Sequence, residues 1–415
     1  MNRLRHVLLL SVPLLITAAT AGHMSASQAE WTQFGGPNRN FVVEARGLAA
    51  SWPEGGPKTL WKRALGEGFS AAAVEGQTLY TMYERGEDEV VIALDAGSGK
   101  TRWEYAYHAP ITVNMSRAPG PRVTPLVVGD RVFTVGATGK LAAVDKRTGT
   151  LAWSHDLYEE FKGHVQDEYY SASPLAYRNT VIVPVGGPGA SVMAFDQKTG
   201  AVVWKGLDFK ISYASPILID VDGQPQVVLM MESEIIGIDP ATGALLWSHP
   251  HANQTKTNVS TPLWGAGNLL FCSSAYNSGS RVLKLTRAGA KTTVEELWYN
   301  RNLRVHQGNA IRIGDTVYGS SGDFGPTFFT AVDVRTGELR WQQRDVVKSS
   351  FIYADGRFIM LNEDGELLLA TPSETELRVV SKAQVLTKTA WTPPTLSGTT
   401  LYVRDRKDLV ALDLR

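Results

Sequence analysis

The stretch Ala93-Leu94-Asp95-Ala96-Gly97-Ser98-Gly99-Lys100-Thr101-Arg102-Trp103 decides the fold. Its pattern, Asp-x-x-Thr/Ser-Gly-x-x-x-Trp, returns without a gap at 145–153, 196–204, 239–247 and 333–341. An apolar residue precedes each Asp: Leu94, Val144, Phe195, Ile238 and Val332. That apolar residue ends a strand. The Asp side chain accepts backbone N–H groups at the start of a turn, and Gly takes the positive-φ position that closes it. The residues after Gly, up to and including Trp, alternate face to face as the next strand. Each copy is therefore a hairpin. A second strand pair lies upstream, as in Leu126-Val127-Val128 and Arg131-Val132-Phe133-Thr134-Val135, joined by the turn Gly129-Asp130. Four antiparallel strands in about 40–50 residues make one blade of a β-propeller.

Working outward, the outer-strand tryptophans set the register: Trp61, Trp103, Trp153, Trp204, Trp247, Trp298 and Trp341. The fifth unit keeps Leu283-Lys284-Leu285 and Trp298 but exchanges the Asp-x-x-Thr-Gly turn for a longer one. The seventh keeps two clear strands and no Trp. The chain ends on Val410-Ala411-Leu412-Asp413-Leu414-Arg415, the third strand of an eighth unit whose outer strand is missing. Leu60-Trp61-Lys62-Arg63 is an outer strand with no unit before it. Pairing the two ends closes the ring and leaves no propagating interface between repeats. The expected fold is all-β, an eight-bladed propeller of four-stranded antiparallel blades over residues 58–415. Seven blades is the alternative if the seventh unit is not a blade.

Composition narrows the class. Lys plus Arg and Asp plus Glu are 41 each, so the basic excess of a nucleic-acid binder is absent. The 39 Gly and 11 Trp fit many strands and tight turns. Residues 1–29 read as an export signal: Arg3, Arg5 and His6 precede an apolar run over 7–21, with small residues before a cut after Ala21 or Ala29. An uncleaved anchor is the alternative, but the run is short for the roughly 20 residues that span a bilayer. Residues 30–57 form a leader. Cys272 is the only cysteine, so no disulfide forms within the chain and no cysteine near the cleavage region takes a lipid. The expected product is periplasmic or secreted, monomeric, without a transmembrane segment once the signal is cut.

The repeat units resemble the pyrroloquinoline-quinone (PQQ) type of propeller repeat. The leader, with Trp31-Thr32-Gln33-Phe34-Gly35-Gly36-Pro37 and Trp52-Pro53-Glu54-Gly55-Gly56-Pro57, looks like the start of a large group of exported bacterial PQQ-binding-like propellers. Relatives sharing the repeat are the propeller lipoprotein of the outer-membrane assembly machinery and the quinoprotein alcohol dehydrogenases. The resemblance implies the fold and is poor ground for the cofactor. The lipoprotein carries a lipidated Cys at its mature start. The dehydrogenases carry adjacent cysteines that form a disulfide over the quinone, and a lone Cys272 supplies neither. No cofactor is required by the sequence, and PQQ with Ca²⁺ has no recognisable set of oxygen ligands.

The repeat residues are expected to be structural: Asp95, Asp145, Asp196, Asp239 and Asp333 in the turns, and Trp61, Trp103, Trp153, Trp204, Trp247 and Trp341 between blades. Function in a propeller sits at the channel mouth, on loops leading into each innermost strand and loops between second and third strands. The candidate ligand-binding residues there are Arg122, Tyr170, Tyr213, Asn258, His306, Gln307, Lys348 and Trp391. Two cations, stacking rings and amides suit a small anionic or polyol ligand, or a protein partner. Asp323 reads as a turn residue with a ligand or base as the alternative. His249-Pro250-His251 reads as a linker without a third metal ligand nearby. The segments 114–117 and 159–164 are long connections that shape the mouth or meet a partner. No catalytic residue is assigned: the sequence has no Ser-His-Asp set, phosphate loop or metalloprotease motif. The expected function is a non-catalytic binding or scaffold propeller. The alternative is a PQQ-dependent oxidoreductase acting on an alcohol or sugar.

Overall fold

The structure, a computed structural model, describes residues 30–110, 119–323, 327–387 and 389–415. The expected signal over 1–29 and the connection 114–117 lie outside the described residues. Strands form eight sheets, each built on four antiparallel strands, and the sheet of the seventh unit carries a fifth, parallel strand. Blade one is Ala73–Glu75, Thr78–Arg85, Asp88–Asp95 and Thr101–His108, from the channel outward. The seventh unit is a full blade, with strands Ser349–Ala354, Arg357–Asn362, Glu366–Pro372 and Leu377–Gln384, so the count is eight. Among the described residues the one α-helix is Leu157–Phe161, in the connection after blade two. No helix among them is long and apolar enough to cross a membrane.

The ring closes as the orphan Trp61 requires. Lys58–Ala64 pairs antiparallel with Asp408–Asp413, with Lys58 opposite Asp413 and Trp61 opposite Ala411. The outer strand of blade eight thus comes from the start of the chain and its other three from the end. Arg404, on the second strand of blade eight, reinforces the seam. Its fully enclosed guanidinium donates to the carbonyls of Met82 at 2.6 Å, Ser70 at 3.1 Å and Gly66 at 3.2 Å.

The repeated motif explains how blades join. In each turn the Asp carboxylate accepts backbone N–H groups two or three residues on, as Asp145 does from Arg147 at 2.9 Å and Thr148 at 3.0 Å. The Gly N–H then donates to the Asp carbonyl, 2.9 Å in the case of Gly149. The Trp of the preceding blade lies over that Gly. Its indole N–H donates to the carbonyl of the residue after the next blade's Asp. Trp61 reaches Ala96, Trp103 Lys146, Trp153 Gln197, Trp204 Pro240 and Trp298 Val334, at 2.9–3.2 Å. Trp341 makes the same reach to Ser373 in the degenerate seventh unit, at 3.2 Å.

Trp247 departs from this rule for a physical reason. Blade five has no Asp-Thr-Gly turn to receive it, since its outer hairpin runs Ser280–Ala288 into Lys291–Asn300. Trp247 turns inward instead, over Gly237, where the other four intact copies carry Ala (Ala93, Ala143, Ala194 and Ala331). Its N–H donates to Gln226 Oε1 at 2.7 Å, and Gln226 Nε2 donates to Thr292 of blade five at 2.6 Å.

The leader is held by five blades. Trp31 bridges to Val74 of blade one, the Thr32 carbonyl accepts from Val127 of blade two, and Val42–Val43 adds a parallel strand beside Tyr353 and Ala354 of blade seven. Arg39 is enclosed and donates to the carbonyls of Pro174 at 2.9 Å and Ser173 at 3.1 Å in blade three. Trp52 is buried in the cluster that holds Leu412 and Leu414 of blade eight, and its backbone N–H donates to the Ser381 hydroxyl at 2.9 Å on the outer strand of blade seven, the blade that lacks its own Trp. These contacts fall mostly toward the trailing ends of the innermost strands, on the side of the motif turns. The loops leading into the innermost strands, and those between second and third strands, occupy the opposite face.

Candidate functional site

That opposite face is the mouth. Blade seven contributes Lys348, just before its innermost strand, and Glu363, just after its second. The two are neighbours because Ser349 pairs with Asn362, and Glu363 N–H donates to the Lys348 carbonyl at 2.9 Å. Lys348 is nearly buried. Its ammonium donates to the Asp323 carbonyl at 2.8 Å and to His306 Nδ1 at 3.2 Å. A donor on Nδ1 leaves the ring proton on Nε2, which donates to the Tyr276 hydroxyl at 2.7 Å. Burial, then the Lys348 charge, push His306 down to about 4, so the ring is neutral at neutral pH. Burial also lowers Lys348, against the nearby carboxylates of Glu363 and Asp323.

A second group flanks the first. Trp391, before blade eight, donates its indole N–H to Glu363 Oε2 at 3.3 Å. Its ring stacks on Phe69 of blade one, centroids 5.5 Å apart. The Arg122 guanidinium lies 6.0 Å from the Phe69 centroid and 5.3 Å from that of Tyr169, within cation–π range. It faces Glu168 at 3.8 Å, and burial lowers its pKa. The Tyr213 hydroxyl accepts from the Glu168 N–H at 3.2 Å. Arg122, Tyr213, His306, Lys348 and Trp391 therefore join one belt of contacts around the mouth. Gln307 lines a small cleft with Gly308, Lys348, Glu363 and Trp391, with room for about one water molecule.

Two sequence candidates point away from that belt. Tyr170 is fully enclosed in the core of blades two and three and donates to the Pro184 carbonyl at 2.9 Å. Asn258 is fully buried. Its amide donates to Met231 O at 2.6 Å, and its oxygen accepts from Asn253 at 2.9 Å and Ser274 at 2.5 Å. Both side chains turn into the wall because their loops fold back onto it. Sequence reasoning missed Tyr276, Glu363 and Glu168. Tyr276 and Glu363 lie between second and third strands, so position alone was the available signal. Asp323 is a turn residue, accepting from Tyr276 N–H at 3.1 Å, and faces Arg304 at 3.4 Å; its neighbours 324–326 lie outside the described residues.

His249-Pro250-His251 is part of blade four's outer edge and not a linker. His249 meets Glu296 at 2.8 Å, and His251 accepts from Arg281 at 2.9 Å in full burial, which drives it down to about 3. The 159–164 segment forms most of the short helix, capped by Asp156.

The family described as "Outer membrane protein assembly factor BamB" matches residues 24–124 and 87–343. A quinohemoprotein alcohol dehydrogenase, ADH IIB of Pseudomonas putida, is 25% identical over 281 residues, 66% of this chain but only 33% of that protein. The outer membrane protein assembly factor BamB of Shewanella oneidensis is 22% identical over 289 residues, 66% of this chain and 69% of that protein. The crystal structure of BamB from Moraxella catarrhalis superposes with a TM-score of 0.62 at 18% identity, over 86% of this chain and 99% of that one. That last likeness speaks for the fold.

The dehydrogenase likeness raises PQQ and Ca²⁺, and the residues present do not fit them. Among the described residues, no three of His, Cys, Asp or Glu converge to hold a metal. Cys272 is the sole cysteine, fully enclosed, with its thiol pushed up by burial. It has no partner with which to form a disulfide over a quinone. With more than half its length matched and all eight blades in place, the chain belongs to the family of the outer membrane protein assembly factor BamB.

Proposed function

We propose that the protein is an exported, non-catalytic binding and scaffold propeller that engages a protein partner or a small ligand at its mouth. One observation carries this reading: the two faces use their polar residues differently. The motif's Asp, Gly and Trp are consumed in turns and blade joints. The mouth gathers Arg122, His306, Lys348, Glu363 and Trp391, from five different blade connections or strands, into one belt of contacts, of which Lys348, Glu363 and Trp391 line a small cleft. Family membership supports the reading, since a relative is named for assembly at an outer membrane. Periplasmic location after loss of residues 1–29, and a monomeric state, belong to the same proposal.

Its test is the double variant Arg122→Ala with His306→Ala. The expected result is an intact fold by circular dichroism and loss of the partner or ligand that the wild type takes from periplasmic extract. Unchanged capture would remove the mouth as the site. The second reading, a PQQ-dependent oxidoreductase acting on an alcohol or sugar, draws on the 281-residue likeness to the dehydrogenase. Reconstitution with PQQ and Ca²⁺, then reduction of an artificial electron acceptor across alcohols and sugars, separates the two. No reduction is expected, and turnover would replace the binding reading.

A further inference from the structure

The joints between blades are not filled alike on the face of the motif turns. Between blades one and two, the Lys146 ammonium donates to the Glu75 carboxylate at 2.6 Å, and the Tyr80 hydroxyl donates to the Lys146 carbonyl at 3.2 Å. Between blades two and three the repeat puts Val128, Phe133 and Gln197 at the places of Glu75, Tyr80 and Lys146. Val128 and Phe133 carry no polar group to reach across. Gln197 Nε2 turns back to the carbonyls of Arg178 at 3.1 Å and Thr180 at 2.9 Å, in its own blade. The joint is left with a cavity of about 210 Å³, whose rim residues Asp130, Asn179 and Lys198 are exposed. That is more than the roughly 150 Å³ that takes a benzene-sized molecule.

The walls are polar and balanced in charge. Blade two contributes Asp130 and Arg131, and the Arg131 guanidinium faces Asp130 at 3.1 Å and Asp145 at 3.5 Å. Blade three contributes Asn179, Asp196 and Lys198. The motif residues Asp95, Asp145 and Asp333 each face an arginine, whereas Asp196 faces none among the described residues. Its Oδ1 accepts from the Lys198 N–H at 3.1 Å and from the Thr199 N–H and hydroxyl at 2.8 Å, and its Oδ2 has no protein donor among them.

We propose that this groove, on the face opposite the mouth and independent of it, binds a neutral polyol the size of one sugar ring. A simple anion would bring a like charge to Asp130 and Asp196, and a simple cation would bring one to Arg131 and Lys198. A hydroxyl both donates and accepts, so a ring bearing several of them can meet carboxylate, ammonium and amide at once.

The test is saturation-transfer NMR and calorimetry on the purified full chain with D-glucose, D-galactose and myo-inositol, against inorganic phosphate and ethylamine as charged probes. At least one of the polyols is expected to bind saturably at roughly 1 mM, the affinity that about 12 non-hydrogen atoms give at ordinary ligand efficiency. Phosphate and ethylamine should bind about tenfold more weakly or worse. The neighbouring joint supplies the main variant: Val128→Glu with Gln197→Lys rebuilds the ion pair of Glu75 and Lys146 across the groove. It should abolish saturable binding while the melting temperature holds or rises. If that variant fails to fold, Asn179→Ala, in an exposed turn, should weaken the polyol about tenfold by removing one hydrogen-bonding group. Arg122→Ala with His306→Ala, in the mouth, should leave polyol binding unchanged. Four results would overturn the proposal: no saturable binding of any of the polyols, a charged probe bound as tightly, full affinity retained in the groove variant, or binding lost in the mouth variant. Partner capture by the mouth stands or falls separately, since neither groove variant touches its residues.

Discussion

Gly149 sits at φ +73°, and a Cβ there would lie 2.5 Å from the Trp103 ring. Its lack of a side chain therefore serves both the turn and the joint to the preceding blade. Gly149→Ala is expected to cost about 2–4 kcal/mol, combining left-handed strain with overpacking. Gly129→Ala, at φ +59° with nothing within 4 Å, carries only the strain and should cost about 1 kcal/mol. Denaturant unfolding of the two variants checks the difference. Glu89 supplies a pH dependence. It is fully enclosed between blades one and two, and accepts from the Tyr107 hydroxyl and the Ala137 N–H, each at 2.7 Å. Burial raises it from 4.5 to about 7, the two hydrogen bonds opposing. The folded state thus holds a proton that the unfolded chain releases. Stability from this group is full below pH 4.5 and is lost as pH rises through about 7, worth about 3 kcal/mol. Glu89→Gln should abolish that decline. Melting temperatures of both proteins from pH 4.5 to 8 should converge at the acid end and separate at the alkaline end, with the wild type the lower. Parallel curves would show that Glu89 stays ionised throughout.

A blade is the unit at which the chain was most readable. Its turn chemistry is local, so Asp145, Gly149 and Trp153 declare a hairpin without reference to any other part. The Trp61 argument extended that to closure, because an unpaired outer strand at one end needs the incomplete blade at the other. What stayed hidden depends on contacts distant in sequence. Val42–Val43 pairs with residues more than 300 positions away, and nothing in its two valines names blade seven. Tyr170 and Asn258 were placed at the mouth by position, but loop direction sent both inward. Trp247 was legible in part: Gly237 in place of Ala, and the missing turn in blade five, were both on view. The joint it makes depends on Gln226. Gln226→Leu would strand the Trp247 N–H and the Thr292 hydroxyl in the interior, costing about 2–5 kcal/mol. Urea unfolding should show that loss, and a change under 1 kcal/mol would mean that water reaches the blade-four joint.

Across the whole molecule, closure and function fall on different residues. Arg404 holds the seam between blades eight and one through three carbonyls and the Thr81 hydroxyl, with burial lowering it to about 10. Arg404→Met should therefore lower global stability by about 3 kcal/mol or more in denaturant unfolding, with the mouth residues unaltered. The mouth, in contrast, should be separable from stability. A photo-reactive amino acid at Gln307, in the mouth cleft, can be compared with one at Thr148, in a motif turn on the opposite face, in the exporting host. Intact-mass analysis and gel mobility then report any adduct, small or large. Discrete adducts at Gln307 and none at Thr148 are expected; adducts at Thr148 with none at Gln307 would contradict the mouth as the working face.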